Sequence, residues 1–232
     1  MGIEEIIRFK ELKYASLGLF VFSLVLIPFN TTLSAIFMFA VVGLWSRVPA
    51  FLSSFTKDSE IIDFLTVVIA LNLGGLAGGL FGASMMLFSR IFAPLEYIGY
   101  TAKDSVSLFV AGNVVPIIFF ITGGNLLFSM YGFTAIRYIV YIILTGIFEP
   151  EWLMMEIGYC FIGIFTAYMS NTLVVAVFGD FATNILKTGL GFNTSLFGFI
   201  FLVLFFVFFS KIISLIKFGK NKKTLWQMSQ SL

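Results

Sequence analysis

Histidine is absent from this chain of 232 residues, and cysteine occurs once, at Cys160. Without histidine the chain cannot form a His-ligated haem, a His-based zinc or di-iron site, a Ser-His catalytic pair or an imidazole proton relay. A single cysteine permits neither an internal disulfide bond nor an iron–sulfur cluster. Cys160 lies in an apolar helical run, where a small buried side chain is expected rather than a reactive thiol. The sequence therefore predicts no cofactor and no metal site.

Charged residues are also scarce. They make up 11% of the chain, whereas hydrophobic residues make up 59% and the mean hydropathy is +1.05. Soluble domains usually carry about 25% charged residues. This composition excludes a soluble domain and predicts an all-α, polytopic transmembrane helical bundle in the cell membrane. Its first partner is the lipid bilayer, and no nucleic-acid partner is expected.

No catalytic motif accompanies this composition. The chain contains no Gly-x-Ser-x-Gly, P-loop, His-Glu-x-x-His or Gly-x-Gly-Asp sequence, and these motifs mark several large enzyme classes. Phe178-Gly179-Asp180 retains only a fragment of the last. An intramembrane enzyme acting on lipids would need a nucleophile–base pair or a metal constellation, and neither is visible. We therefore expect that the protein is not an enzyme.

Seven apolar runs follow one another along the chain, and one is too long for a single membrane helix of about 20 residues. The runs are 14–29, 33–52, 61–92, 104–121, 126–148, 152–178 and 194–216. The long run, 61–92, has a glycine-rich centre where a chain could turn or pack closely. Its glycines are Gly74, Gly75, Gly78, Gly79 and Gly82. Helical spacing places Gly75, Gly79 and Gly82 on one face.

The basic residues decide whether this run crosses once or returns. If every run crosses once from an inner amino terminus, the five lysines from Lys211 to Lys223 lie outside, against the positive-inside rule. If the run instead breaks near Gly74 and returns, 12 of the 14 basic residues face the cytoplasm, the exceptions being Lys187 outside and Arg137 within a span. We therefore predict about seven to eight membrane segments with a glycine-rich short-helix hairpin.

This topology defines one transmembrane domain over 1–232. Residues 1–13 form a cytoplasmic amino-terminal segment, and 217–232 form a basic cytoplasmic tail.

Arg137 is the main candidate for a functional residue, because it lies near the middle of run 126–148. An ionisable group at bilayer depth costs about 2.5–3.5 kcal/mol and normally faces a cavity or a partner. Its helical face also carries Tyr131, Thr134, Tyr138, Tyr141 and Thr145. A guanidinium with phenols could hold an anionic or polar ligand. Alternatively, Arg137 pairs with an acid of a neighbouring helix, such as Glu156, and holds the bundle together.

Other polar residues extend this candidate site. The span after Arg137 carries a stripe that is expected to face inward, for helix packing or ligand contact: Glu156, Tyr159, Gly163, Thr166, Ser170 and, at its edge, Asn171. Asn113 with Pro116 marks a kink or a local unwinding that could expose carbonyl groups. The predicted substrate-binding residues are Arg137, Tyr141, Asn113, Asn125 and Glu156.

Four further charged residues lie near the predicted cytoplasmic span ends: Asp63, Arg90, Lys103 and Asp104. Long charged side chains at such positions are expected to extend to the membrane interface. The alternatives are that they dock a cytoplasmic partner, or that Asp63 and Arg90 pair across the mouth of the hairpin.

The hairpin region also resembles a known family. The residues are Glu60-Ile61-Ile62-Asp63-Phe64, then Leu73-Gly74-Gly75-Leu76-Ala77-Gly78, then Ser89-Arg90. This order of elements is similar to that in the substrate-binding S component of energy-coupling-factor vitamin transporters. It consists of a loop that ends in an acid, a short span, a glycine-rich break and a second short span that ends in a charged residue. The resemblance implies a helical bundle that binds a vitamin-like molecule and works with a membrane coupling subunit and ATPases.

Two functional hypotheses follow. In the first, the chain is an integral membrane transport component that binds a polar or anionic vitamin-like small-molecule substrate. In the second, it is a non-catalytic subunit or scaffold of a larger complex, which recruits a partner through its cytoplasmic rim.

Overall fold

The structure is a computed structural model that describes residues 3–45, 61–92 and 98–188. Most of these residues are helical, and no strand occurs among them. The helices are α1 (Ile3–Leu26), α2 (Thr31–Trp45), α3 (Ile61–Leu73), α4 (Gly75–Phe92), α5 (Ile98–Ile121), α6 (Leu126–Phe148) and α7 (Leu153–Thr188), with a short 3-10 helix at Pro150–Trp152. The predicted all-α class is confirmed for this part. The predicted run 194–216, the tail 217–232 and the segment with Arg47 and Lys57 lie outside the described residues.

The first two helices form an antiparallel pair held by serine side chains. Ser23 Oγ donates to the Ser34 carbonyl oxygen at 2.8 Å, and Ser34 Oγ donates to the Ser23 carbonyl oxygen at 2.6 Å. Both serines are fully buried. In α2, the Asn30 carboxamide accepts from the Leu33 amide at 2.9 Å and satisfies a free amide of the first turn. Helix α1 begins at Ile3 and includes the charged residues from Glu4 to Lys13.

The predicted break in run 61–92 is confirmed at Gly74. Its φ of +98° lies in the left-handed region, which glycine adopts without the steric cost that a side chain imposes. Helices α3 and α4 then run antiparallel, because Gly78 packs against Ala70 and Gly82 packs against Thr66. Gly75, Gly79 and Gly82 lie on one side of helix α4, as helical spacing predicts, and this side contacts two helices: Gly75 and Gly79 approach α5, and Gly82 approaches α3.

Helix α3 lies at the centre of the described bundle. Every residue from Ile62 to Ala70 is buried, and α3 packs against α2, α4, α5, α6 and α7. Its central position explains why its sequence is apolar all round rather than on one face. Any charged residue on α3 must therefore find its partner inside the protein.

The last three helices agree with the predicted runs to different degrees. Helix α6 has the predicted bounds, and it follows a tight turn at Gly123 and Gly124, whose φ angles are +66° and +83°. Asn125 caps α6 by accepting from the Phe128 amide at 3.1 Å. Helix α5 begins at Ile98, before the predicted start at Asp104, and is continuous through Pro116. Helix α7 continues to Thr188, beyond the predicted end at residue 178.

The helices support a membrane protein. Within the described ranges, three segments are long and apolar enough to cross a membrane, namely Ile98–Ile121, Leu126–Phe148 and Pro150–Ile185. Large apolar side chains also cover the outer face of α7, where Phe161, Phe165 and Leu173 are 73%, 66% and 67% exposed. Such a surface is suited to lipid or to another protein, not to water. The number of spans and the sidedness of the termini stay predictions.

Candidate functional site

Charged side chains from five helices, α3 to α7, meet in one region of the bundle. Asp63 lies in the first turn of α3, Arg90 in the last turn of α4, and Glu149 directly follows α6. We call the following set the ion cluster: Asp63, Arg90, Lys103, Asp104, Arg137, Glu149 and Glu156, the last from the first turn of α7. Antiparallel packing brings these helix ends together, although the residues are far apart in the sequence.

Arg137 is held by two carboxylates. Its Nη1 atom donates to both oxygens of Asp63, at 2.6 and 2.7 Å, and its Nη2 atom donates to Asp104 Oδ1 at 3.5 Å. Arg137 is 6% exposed and Asp63 is 2% exposed. Pairing of Arg137 with acids of neighbouring helices is therefore confirmed, but the acids are Asp63 and Asp104 rather than the suggested Glu156.

Asp104 connects two arginines. Its Oδ2 atom accepts from Arg90 Nη2, and Arg90 Nη1 also donates to Thr101 Oγ1 at 3.3 Å. The resulting chain of ion pairs joins α4, α5, α6 and α3 in that order. Asp63, Arg90 and Lys103 are all buried inside the protein. The prediction that they extend to the membrane interface is therefore wrong, because each finds an opposite charge within the bundle.

Lys103 is enclosed by aromatic and acidic groups. Its Nζ atom donates to Glu149 Oε2 at 2.8 Å and to Thr145 Oγ1 at 3.2 Å. The same nitrogen lies 4.7 Å from the ring centroid of Tyr100 and 5.1 Å from that of Tyr141. An ammonium group is attracted to aromatic faces within about 6 Å. We call Tyr100, Tyr141, Thr145 and Glu149 the ammonium cage.

Glu156 differs from the other acids of the cluster. It is 8% exposed, and its Oε2 atom accepts from the Tyr141 hydroxyl at 3.4 Å. Among the described residues, no lysine or arginine nitrogen lies within 4.0 Å of this carboxylate. Asp63, Asp104 and Glu149 each have a cationic partner. Tyr141 therefore contacts both Lys103, through its ring, and Glu156, through its hydroxyl.

The structure brings together three of the five predicted site residues. Arg137, Tyr141 and Glu156 belong to or contact the ion cluster. Asn113 lies about 14 Å further along α5 than Asp104, at 1.5 Å per residue, and its carboxamide donates to the Phe109 carbonyl oxygen at 2.8 Å. By the same measure Asn125 is about 18 Å from Arg137 along α6. The two asparagines therefore do not join this cluster.

The inward face of α7 is partly as predicted. The buried residues of α7 follow helical spacing and are Glu156, Cys160, Gly163, Ala167, Asn171, Gly179, Ala182 and Ile185. Asn171 Nδ2 donates to Thr134 Oγ1 at 3.1 Å across the α6–α7 interface. Tyr159, however, is 60% exposed, so its predicted inward position is wrong. In the first turn of α7, Glu156 belongs to the ion cluster. Further along the helix this face packs against neighbouring helices.

Two of the four cage residues, Tyr141 and Thr145, lie on the predicted face of Arg137, whereas sequence reasoning missed Tyr100 and Glu149. One signal was available on α6, where Arg137, Tyr141, Thr145 and Glu149 recur at intervals of four. Such residues lie one above another on the same helical face. Glu149 directly follows the apolar run 126–148, so the apolar pattern alone does not connect it with this face. The position of Tyr100 had no comparable signal, because α5 begins earlier than its apolar run.

A concave surface lies between α1, α2 and α4. It is an apolar groove of about 720 Å³ whose walls include Ala15, Leu19, Phe37, Ala40, Leu80 and Phe88. Small residues on such a surface allow close helix approach. The groove contains none of the charged residues described above.

Comparison with protein families, characterised proteins and solved structures found no match to this chain. The site is therefore interpreted from its own geometry.

Proposed function

We propose that the chain is an integral membrane transport component that binds a polar, vitamin-like small molecule next to Arg137, Tyr141 and Glu156. The observation that supports this proposal is the ion cluster itself. Ionisable groups inside a membrane protein are costly and usually line a substrate or ion pathway. Here they are concentrated in one place and accompanied by tyrosines, which offer both ring faces and hydroxyl groups to a ligand.

The geometry favours a polar substrate over an anionic one. Arg137 already contacts Asp63 and Asp104, so an anionic substrate group would have to displace an internal carboxylate from it. Glu156 has a weaker arrangement, since its described partner is one hydroxyl at 3.4 Å. A substrate with hydrogen-bond donors can bind there without breaking an ion pair. In line with the hairpin resemblance, we further propose that a membrane coupling subunit and an ATPase complete the transporter.

Ligand binding and uptake by matched tyrosine variants test the proposal. Tyr141 is 9% exposed and contacts Glu156. Tyr159 lies three residues after Glu156 on α7 and is 60% exposed, so it serves as the control. Protein purified in mild detergent is analysed by mass spectrometry for co-purifying small molecules, and uptake is measured in cells. Tyr141→Phe and Glu156→Gln are expected to lose the ligand and uptake while remaining folded, and Tyr159→Phe is expected to retain both. Unchanged binding and uptake in all three folded variants would refute the proposal.

A scaffold role is the second candidate, and the apolar groove between α1, α2 and α4 favours it. Alanines at Ala15, Ala40 and Ala77 line this groove, as expected where another transmembrane helix packs closely. Under this alternative the ion pairs only stabilise the bundle. A stoichiometric partner protein that co-purifies with the chain, together with the absence of any bound small molecule, would favour the scaffold over the transporter.

A further inference from the structure

We propose that the ion cluster binds a small organic cation, an amine or a quaternary ammonium compound, at the ammonium cage that Lys103 occupies in this structure. The inference rests on the proposed function and names the chemical class of its substrate. Lys103 then acts as an internal occupant that the substrate replaces.

The geometry of the cage fits an ammonium group. Two tyrosine rings lie within 4.7 and 5.1 Å of the Lys103 nitrogen, and Glu149 and Thr145 accept its hydrogen bonds at 2.8 and 3.2 Å. Aromatic faces combined with a carboxylate are the usual way in which proteins recognise quaternary ammonium ligands. Lysine is a flexible point charge on a four-carbon stem, so its ammonium can leave the cage without movement of a helix.

The charge balance points to a cation rather than an anion. Among the residues that the structure describes, the cluster contains three basic residues, Arg90, Lys103 and Arg137, and four acids, which are Asp63, Asp104, Glu149 and Glu156. A buried charge without a partner is strongly unfavourable. One additional positive charge balances these described side chains, whereas an anion increases their excess of negative charge. A substrate with a single ammonium group therefore matches the site.

Glu156 completes the exchange. Tyr141 contacts the Lys103 nitrogen with its ring and Glu156 with its hydroxyl, so the two sites share one side chain. When a substrate ammonium pairs with Glu149, Glu156 is the nearby carboxylate that is left to pair with Lys103. Each of the four acids then has a cationic partner. In the present arrangement the described partner of Glu156 is the Tyr141 hydroxyl rather than a cation.

Thermal unfolding and direct binding with defined probes test this inference. The full chain in detergent is titrated with choline chloride and ethylammonium chloride, with sodium chloride as the salt control and sodium succinate as the anionic probe. We expect the organic cations to raise the unfolding temperature of the wild type. Lys103→Met should bind them about tenfold more tightly or better, because the internal competitor is removed. Tyr141→Leu should lose the effect, and the exposed Lys187→Met should behave as the wild type.

The possible outcomes separate this inference from the proposed function. If succinate, but no ammonium probe, stabilises the wild type and Arg137→Gln abolishes that effect, the cation class is wrong and a transport component for anions remains. If ammonium binds Lys103→Met but not the wild type, Lys103 is a permanent structural residue and the inference is wrong. If no probe binds either protein and no ligand co-purifies, both proposals fail. Should Lys103→Met not fold, binding by the wild type and its loss in Tyr141→Leu decide the matter.

Discussion

Arg137 and Asp63 form a buried ion pair in which one guanidinium nitrogen contacts both carboxylate oxygens, at 2.6 and 2.7 Å. The pair joins α6 to the central helix α3 across 74 positions of sequence. Because Asp63 is 2% exposed, water cannot stabilise its charge if the arginine is removed. The pair is therefore a structural connection whatever ligand the neighbouring side chains bind.

Neutralising Arg137 alone should destabilise the protein strongly. Removing one partner of a buried pair leaves an uncompensated charge and typically costs about 3–5 kcal/mol. We expect Arg137→Gln to show a loss of this order in detergent unfolding experiments. The double variant Asp63→Asn/Arg137→Gln should recover much of the loss, since neither side chain is then charged.

The double variant also separates stability from binding. If Arg137 contributes only to stability, the folded double variant retains the ligand that co-purifies with the wild type. If Arg137 contacts the ligand, the double variant is folded but has lost it. Wild-type stability in Arg137→Gln would contradict the structural role of the pair.

The glycines of α4 predict a sharp difference between buried and open positions. A Cβ atom at Gly78 would collide with the Cβ and backbone of Ala70, whereas one at Gly158 on α7 would meet no atom within 4 Å. Overpacking of this kind typically costs about 1–3 kcal/mol, and alanine favours an open helical site by up to about 1 kcal/mol over glycine. Gly78→Ala should therefore lower the unfolding temperature and Gly158→Ala should maintain or raise it. Equal effects of the two changes would argue against the close α3–α4 contact.

Local features of the fold could be predicted from the sequence, and long-range partners could not. The bounds of α6 follow from an apolar run that begins after Gly123-Gly124-Asn125, and the break at Gly74 follows from glycine density and basic-residue counting. The start of α5 was placed too late because Lys103 was assigned to the membrane interface, whereas partners from α6 enclose it. Charge alone does not show which distant acid a basic residue meets.

In the candidate site, too, the sequence indicates which residue is unusual but not which residue it contacts. Arg137 was found because a charge inside an apolar run is costly wherever its partner lies. Asn113 and Asn125 are predicted site residues as well, but α5 is continuous through Pro116, and a carboxamide can form its hydrogen bond within or at the end of its own helix. Asn113 donates to Phe109 and Asn125 caps α6. Their polarity is therefore explained without a ligand.

Removing the hydroxyl group of Thr66 should stabilise the folded protein. Thr66 Oγ1 is buried and has no hydrogen-bond partner among the described residues. An unsatisfied buried group of this kind typically costs about 1–3 kcal/mol. We expect Thr66→Val to raise the free energy of unfolding by about 1 kcal/mol, measured by denaturant titration in detergent.

Thr134→Val is the matched control, because Thr134 is equally buried but its hydroxyl is used. It donates to the Met130 carbonyl oxygen at 2.9 Å and accepts from Asn171 at 3.1 Å. This variant should be less stable than the wild type. Destabilisation by Thr66→Val as well would mean that the Thr66 hydroxyl has a partner in the protein.

The predicted sidedness can be tested at the two ends of α7. Glu151 precedes the helix and Lys187 lies in its last turn, and both side chains are exposed. Cys160 is buried and is the chain's single cysteine, so Cys160→Ser provides a background without thiols. With inside-facing termini, Lys187→Cys should react with a membrane-impermeant maleimide in intact cells, and Glu151→Cys should react only after the membrane is opened. Reaction of Glu151→Cys in intact cells, with protection of Lys187→Cys, would reverse the topology. It would also place the ion cluster at the outer end of the bundle.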